Sequence, residues 1–258
     1  MGQNSRPEGA VRELRVPATL SRGGVGRLLS ELEALGDGGA RILVLRGATD
    51  GFCRGLELGE IRCDSDAERG TGAAPAWQVA VERFVKILKF LRNTPVVSVA
   101  LVDGPALGGG VGLAAACDFV LATEAATFAL PELLLGLVPA TILPVLTERL
   151  GMQPAKRWAL TLATWKAGEA AAAGLVDRVV PAERLDAELE RLVRALLRAH
   201  PGGVARLKQL IVETQGMDQS RAIEAGQALL SSLLGQLELR GGLVAFRDYG
   251  LLPGESDA

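Results

Sequence analysis

The sequence predicts an α/β protein with a helical C-terminal region. Short apolar runs typical of buried strands alternate with segments whose apolar residues recur at helical spacing. After Pro181 the alternation stops, and charged amphipathic helices follow. We therefore divide the chain into an α/β core, residues 1–195, and a helical part, residues 196–258.

The first elements follow one another in order. Residues 11–16 predict a strand, and the next segment predicts a helix because its apolar residues recur at helical spacing. This helix ends at the glycine-rich residues 36–39, which are typical of a C-terminal stop. Residues 41–46 form a short apolar run with charged ends and predict the second strand. The apolar residues of the helix are Val25, Leu28, Leu29, Leu32 and Leu35.

The later elements continue this pattern. Residues 64–75 are polar and rich in Gly and Ala, which predicts an exposed loop. Helical spacing returns over residues 79–91. Residues 95–102 and 118–122 predict two further strands, with a glycine-rich helix start between them. The helices expected after Pro181 cover residues 185–197, 204–214 and 222–239.

Charge and composition exclude several classes of protein. The 258 residues carry 28 Lys and Arg against 30 Asp and Glu, and this near balance argues against a general nucleic-acid-binding protein. The one histidine, His200, would have to serve any Ser-His-Asp or Cys-His site. Its place just before Pro201 is more typical of a helix end.

The cysteines and the apolar segments bear on the compartment. Three cysteines without CxxC spacing predict neither a disulfide framework nor a zinc site, and they indicate a reducing compartment. The N-terminal residues lack the apolar core of a secretory signal. The uncharged glycine-rich residues 104–117 are too few and too small to span a bilayer. We expect a soluble cytoplasmic protein with no metal and no membrane partner.

Two glycine-bearing turns each follow a predicted strand, at residues 51–58 and 103–112. Glycine lets the backbone approach a ligand closely, and a helix beginning in the second turn would present free amide groups. Two converging amides could form an oxyanion hole for the enolate of a thioester. The alternatives are tight helix–strand packing or a phosphate site, although the second turn lacks the Lys of a P-loop and a strict dinucleotide-binding glycine pattern.

Glu132 is the only charged residue between Glu124 and Glu148. A carboxylate in such an apolar stretch is expected to be desolvated, which raises its pKa toward the range of a general base. The alternative is an exposed carboxylate in a first helical turn after Pro131, where the helix dipole favours it. The residues alone leave both interpretations open.

Together these segments resemble the enoyl-CoA hydratase/isomerase (crotonase) superfamily. Phe52–Leu58 is similar to its F-C-x-G-x-[DE]-L turn, and Asp103–Asp118 to its D-G-x-A-x-G-G-G turn followed by A-[AS]-x-D. Leu130–Pro139 is similar to its L-P-E-x-x-x-G-L-x-P motif, and residues 172–177 to its A-x-x-x-G-L-V-D segment. The resemblance runs from about residue 11 to residue 250.

The resemblance implies a fold, a substrate class and a site. The fold is a crotonase-like spiral of ββα units, whose C-terminal helices serve as a trimerisation or lid region in homotrimers or dimers of trimers. The substrate is an acyl thioester on coenzyme A or on the phosphopantetheine of an acyl-carrier protein, with no separate cofactor. Its carbonyl oxygen would bind between the backbone amides of Leu56 and Gly109, with Glu132 as the base. The motif residues expected to contact substrate are Phe52, Gly55, Gly108, Leu130 and Leu137.

One position departs from the family pattern. Hydratases of the family carry a second Glu just after the glycine run, where this chain has Gly112. A single Glu is the arrangement of family isomerases, in which one base moves a proton between the α and γ carbons. It could also serve an elimination if another group or water assists the leaving hydroxyl.

A closer resemblance, over residues 132–177 and 242–253, is to the crotonase proteins of polyketide β-branching cassettes. The sequence Gly55-Leu56-Glu57 is nearer to their dehydrating type than to their decarboxylating type. We therefore predict dehydration or double-bond isomerisation of an acyl thioester in polyketide biosynthesis. The alternatives are a decarboxylase or thioester hydrolase on the same scaffold, and a non-catalytic member that binds a carrier protein.

Overall fold

The computed structural model describes residues 9–37, 39–48, 51–57, 59 and 75–235. Nearly all of the loop predicted at residues 64–75, the end of the helix predicted at 222–239 and the tail at 242–253 lie outside the described residues. Within them, the strands are β1 Val11–Arg15, β2 Ile42–Arg46, β3 Val97–Val102, β4 Pro105–Leu107, β5 Phe119–Thr123, β6 Thr127–Ala129, β7 Trp165–Lys166 and β8 Arg178–Val180. The α-helices are α1 Arg22–Glu33, α2 Ala76–Asn93, α3 Gly109–Ala116, α4 Leu143–Leu150, α5 Met152–Thr161, α6 Ala167–Ala172, α7 Leu185–Leu197, α8 Pro201–Thr214 and α9 Gln219–Leu234.

A five-stranded parallel sheet in the order β1-β2-β3-β5-β8 forms the centre of the molecule. Every residue of β3 is buried, as expected for a parallel strand covered on both faces. Successive side chains point to opposite faces, so Leu43 and Leu45 join the large core beneath α1 and α2, while Ile42 and Val44 face the other side.

Helix α7 covers that other face of the sheet. Its buried residues Leu185, Leu189 and Val193 recur at helical spacing and pack against the strands. The helix continues to Leu197, two residues past the boundary predicted at residue 195. In contrast, α8 and α9 contain no buried residue of their own. No helix among the described residues is long and apolar enough to cross a membrane.

A second, small sheet positions the glycine turns. Strand β4 pairs in parallel with β6, and β6 pairs antiparallel with β7. Because β4 begins three residues after β3 and ends two residues before α3, it leads the chain from the main sheet into the glycine-rich helix. The sequence predicted β1, β2, β3 and β5 of the main sheet, but it predicted neither β8, nor this small sheet, nor helices α4, α5 and α6.

Candidate active site

The two predicted glycine turns lie side by side. The amide of Leu107 donates a hydrogen bond to the carbonyl of Cys53 at 2.9 Å, and the amide of Phe52 donates to the carbonyl of Pro105 at 2.9 Å. A Cβ at Gly110 would overlap the carbonyl oxygen of Cys53, so this close approach requires glycine. Backbone hydrogen bonds thus hold the first turn against β4 and the start of α3.

Leu56 and Gly109 line the same cavity. Gly109 is the first residue of α3, where an amide has no partner within the helix. A Cβ on Gly55, which has a φ of +80°, would lie 3.3 Å from the nitrogen of Gly109. Within the described part of the chain, neither the amide of Leu56 nor that of Gly109 donates a hydrogen bond to the backbone or to a side chain. Both are free to bind an oxygen atom of a ligand.

Glu132 stands next to these amides. It begins the 3-10 turn Glu132–Leu135, and its carbonyl accepts a hydrogen bond from the amide of Leu137 at 3.0 Å. A Cβ at Gly108 would lie 2.9 Å from Glu132 Oε1, so the carboxyl group packs on the backbone just before Gly109. Gly108 has a φ of +49°, a conformation that a residue with a side chain rarely adopts.

The environment of the Glu132 carboxyl makes it more basic than an ordinary carboxylate. Burial is the main cause that raises its pKa, and a backbone hydrogen bond opposes this in part. The Oε2 atom is buried and finds no hydrogen-bond partner among the described residues. A desolvated carboxylate of this kind is suited to take a proton from a bound ligand. As the alternative interpretation expected, Glu132 lies in the first helical turn after Pro131, but the residue is half-buried and not exposed.

A cavity of about 480 Å³ joins these groups. Its wall is mostly apolar, as is usual for a small-molecule site. Of the described residues in the wall, Arg54 and Glu132 carry charge, and Arg54 is exposed. The wall consists of Leu20, Arg54, Gly55, Leu56, Trp77, Val81, Phe84, Gly108, Gly109, Pro131, Glu132, Leu135, Leu137, Val138, Pro139, Ala140, Thr141 and Ile142.

Most of the predicted site residues meet in this wall, but two do not. Phe52 and Leu130 are 0% and 2% exposed and lie in the large core. The hydrogen bond of Phe52 to Pro105 fixes its backbone at the inner side of the turn, and its side chain points into the core. The prediction that these two residues contact the substrate is therefore wrong. They support the site from behind. The predicted residues that do line the cavity are Leu56, Gly109, Glu132, Gly55, Gly108 and Leu137.

The structure adds wall residues that the motifs did not indicate. Leu20, Phe84 and Ile142 come from three separate segments, and only the apolar spacing of Phe84 in α2 gave a signal. Trp77 also lines the cavity, whereas the stacked pair Trp158 and Trp165 lies elsewhere, with ring centroids 3.9 Å apart.

Glu57 is engaged outside the cavity wall. Its Oε2 accepts a hydrogen bond from the hydroxyl of Thr19 at 2.9 Å, and its Oε1 accepts one from the amide of Gly59 at 3.1 Å. Glu132 is thus the one carboxylate among the described residues that line the cavity.

The sequence profile of the enoyl-CoA hydratase/isomerase family matches residues 18–250. The chain belongs to this family. It is 30% identical over 221 residues to the bacillaene synthase dehydratase PksH of Bacillus subtilis, which covers 83% of this chain and 79% of that protein. It is 32% identical over 191 residues to a putative enoyl-CoA hydratase of Thermus thermophilus, covering 73% of this chain and 72% of that protein.

Solved structures of the family share the fold. Pseudomonas aeruginosa AtuE superposes with a TM-score of 0.82 and 31% identity, covering 94% of this chain and 95% of that one. An enoyl-CoA hydratase from Bacillus anthracis gives a TM-score of 0.82 with 25% identity, covering 94% of both chains. The predicted crotonase fold with a helical C-terminal region is confirmed, and the protein is an enzyme of the hydratase/isomerase type.

Proposed function

We propose that this enzyme dehydrates a 3-hydroxyacyl thioester carried on coenzyme A or on the phosphopantetheine arm of an acyl-carrier protein. The observation that carries the proposal is the placement of the Glu132 carboxyl against Gly108, beside the amides of Leu56 and Gly109, which have no partner in the described part of the chain. A base and two aligned donors at one cavity wall are what enolate chemistry at a thioester requires. The carrier is part of the substrate, and we expect no separate cofactor.

The oxyanion hole supplies the first part of the chemistry. The thioester oxygen would accept hydrogen bonds from the amides of Leu56 and Gly109, which gain strength as negative charge develops on that oxygen. Each such donor contributes about 3–4 kcal/mol to lowering the barrier. The apolar wall keeps water away and so strengthens both interactions.

Glu132 supplies the proton transfers. Its carboxylate takes a proton from the α carbon, and the electrons of that C–H bond form the enolate. The bond from the β carbon to the hydroxyl then breaks, and the departing oxygen takes the proton from the Glu132 carboxylic acid to leave as water. One carboxylate thus serves as base and then as acid, which fits a cavity with a single described carboxylate.

Relatives support dehydration as the main reaction. PksH is named as a dehydratase of bacillaene synthesis, and the chain also matches a mevalonyl-coenzyme A hydratase of Aspergillus fumigatus at 31% identity over 197 residues. Both names describe water leaving or entering an acyl chain. The name of PksH supports a role in polyketide biosynthesis, which we include in the proposal. A homotrimer or dimer of trimers in the cytoplasm stays an expectation from the family resemblance.

Double-bond isomerisation is the second candidate. The specific observation in its favour is again that Glu132 is the one carboxylate among the described residues of the cavity wall. One base can carry a proton from the α carbon to the γ carbon without a second acid. In that reaction no hydroxyl leaves, and the acyl composition stays the same.

Mass spectrometry of a panel of acyl thioesters separates these reactions. The panel contains 3-hydroxy-3-methylglutaryl, glutaconyl and simple 2- and 3-enoyl groups, each on coenzyme A and on a carrier protein. We expect loss of water from a 3-hydroxyacyl member, and loss of this turnover by at least about 100-fold in Glu132→Gln. Glu124→Gln, a change of an exposed carboxylate, is the control. Unchanged turnover in Glu132→Gln would show that another group is the base.

A further inference from the structure

The face of α3 next to the cavity carries glycines whose missing side chains are replaced by residues of other segments. Gly109 and Gly112 are three positions apart and therefore share a helix face. A Cβ at Gly109 would overlap Leu20 Cδ1, and a Cβ at Gly112 would overlap Ile142 Cγ2. Leu20, Ile142 and Gly109 line the cavity whereas Gly112 does not, so the Ile142 side chain lies between Gly112 and the ligand space.

Ile142 is held firmly in this position. It is 1% exposed, and its amide donates to the carbonyl of Pro139 at 3.2 Å. Its carbonyl accepts a hydrogen bond from Leu146 at 2.9 Å at the start of α4. A Cβ at Gly112 would also lie 3.5 Å from Phe84 Cζ, so the aromatic ring closes the other side of the same gap.

Ile142 and Glu132 line the same cavity. The amide of Gly112 donates to the carbonyl of Gly108 at 3.1 Å, so Gly112 lies one helical turn beyond the glycine on which the Glu132 carboxyl packs. An opening at Gly112 would therefore extend the cavity at a point one helical turn from the glycine that contacts the Glu132 carboxyl. Ile142 fills that opening.

We infer that Ile142 is a positioning residue that shields the Glu132 carboxyl from solvent while a thioester is bound. The inference rests on the proposed function. When Glu132 takes the α proton, the O–H bond on the carboxyl replaces the C–H bond of the substrate. With the wall closed, that proton goes back to the α carbon, or on to the γ carbon or the departing hydroxyl, and exchange with water is slow.

Isotope exchange tests this shielding. The substrate is the thioester that wild type turns over, deuterated at the α carbon and incubated in ordinary water. The measurement is the loss of deuterium from unreacted substrate, divided by turnover. The variants are Ile142→Ala and Ile142→Val, and the control is Val145→Ala, which shortens a partly buried apolar side chain of α4 outside the cavity wall.

We expect a low ratio of deuterium loss to turnover in wild type and in Val145→Ala. The ratio rises several-fold in Ile142→Ala and by less in Ile142→Val, which removes one methyl group. The valine variant keeps the test decisive if the alanine variant does not fold. An unchanged ratio in the folded Ile142 variants, with wild type active, overturns the inference alone. Absence of turnover by wild type with every thioester in the panel overturns the proposed function instead.

A pair of substitutions tests the packing that carries the inference. Gly112→Ala alone is expected to lower Tm strongly, because its Cβ overlaps Ile142. In the Ile142→Ala background the Cβ added by Gly112→Ala has room, so the double variant should have a higher Tm than Gly112→Ala. Its ratio of deuterium loss to turnover should return to a value near that of wild type. A double variant that melts below both single variants would contradict the contact.

Discussion

At the level of single residues, the burial of Glu132 couples the chemistry of the site to the stability of the protein. Burial disfavours the charged carboxylate, which is the main reason that its pKa is raised, and Oε2 has no described hydrogen-bond partner to offset the loss of water. The ionised base is therefore reactive and destabilising at once. A strained or desolvated group of this kind is common where catalysis requires it.

This coupling predicts a pH-dependent effect of Glu132→Gln on stability. Because the pKa is raised in the folded protein, protonation of Glu132 adds stability that is present at low pH and is lost as the pH rises through the raised pKa. The neutral amide avoids the buried charge, so we expect a higher Tm than wild type at neutral pH. The difference should shrink as the pH falls below the ordinary value of 4.5. Thermal unfolding of wild type, Glu132→Gln and the Glu124→Gln control at several pH values measures this.

The raised pKa of Glu132 also predicts the acid side of the pH–rate profile. Glu132 accepts the α proton only when it is ionised, so kcat/KM should rise with pH through an apparent pKa above 4.5, the ordinary value for Glu. Steady-state rates over the acid range, with the unfolding transition recorded in the same buffers, measure it. A midpoint at or below 4.5 would contradict the burial of the base.

The sequence predicted the reactive residues better than the residues around them. Glu132 could be found because it is alone in an apolar stretch, and the amides of Leu56 and Gly109 because glycine turns follow strands. Phe52 lies in the same turn motif, but its side chain points to the core. Ile142 gave no signal, since its role depends on contact with Gly112 across the fold. Side-chain direction and long-range contact are properties that local patterns do not carry.

At the level of elements, the site depends on the contact between the first glycine turn and α3. We expect Gly110→Ala to separate them, because its Cβ would overlap the carbonyl of Cys53, a backbone atom that cannot rotate away. A shift of α3 would move the amide of Gly109 out of line with that of Leu56. Turnover should fall by about 100-fold or more, the loss seen when one oxyanion donor is removed.

The matched control for this change is Gly226→Ala in α9, where a Cβ would meet no atom within 4 Å. Alanine favours a helix interior over glycine by about 0.5–1 kcal/mol, so this variant should keep full turnover and melt slightly higher. Circular dichroism shows whether Gly110→Ala remains folded. Wild-type turnover in a folded Gly110→Ala protein would contradict the need for this contact.

Element length explains which parts of the fold were predictable. Four of the five described strands of the main sheet are five or six residues long, and helices such as α2 and α7 have long apolar stripes. Strands β4, β6 and β7 have two or three residues each, too few for any alternation to show. These three strands form because the elements on either side of them hold the chain in place, and tertiary contacts determine how they pair.

At the scale of the whole molecule, the described part consists of a well-buried α/β core and two helices with little burial of their own. Lys208 of α8 links the two parts: its ammonium group donates to the carbonyl of Val96 at 3.0 Å and to Asp118 Oδ2 at 2.6 Å. Asp118 Oδ2 also accepts hydrogen bonds from the amide and hydroxyl of Ser98, at 2.7 and 2.9 Å. This carboxylate therefore joins β3, the end of α3 and α8, which the sequence split at residue 195 did not reveal.

Removing the Lys208 link should loosen α8 and α9 before the core. In Lys208→Met the hydrogen bonds to Val96 and Asp118 are lost, while Ser98 still satisfies the carboxylate, so we expect a cost of about 1.5–3 kcal/mol, as for a hydrogen bond to a charged group. Because few apolar contacts hold α8 and α9, hydrogen exchange should speed up there and stay slow in β3. The control is Lys156→Met, at an exposed position of α5. Equal acceleration in β3 and α8 would mean that the helices and the core unfold as one unit.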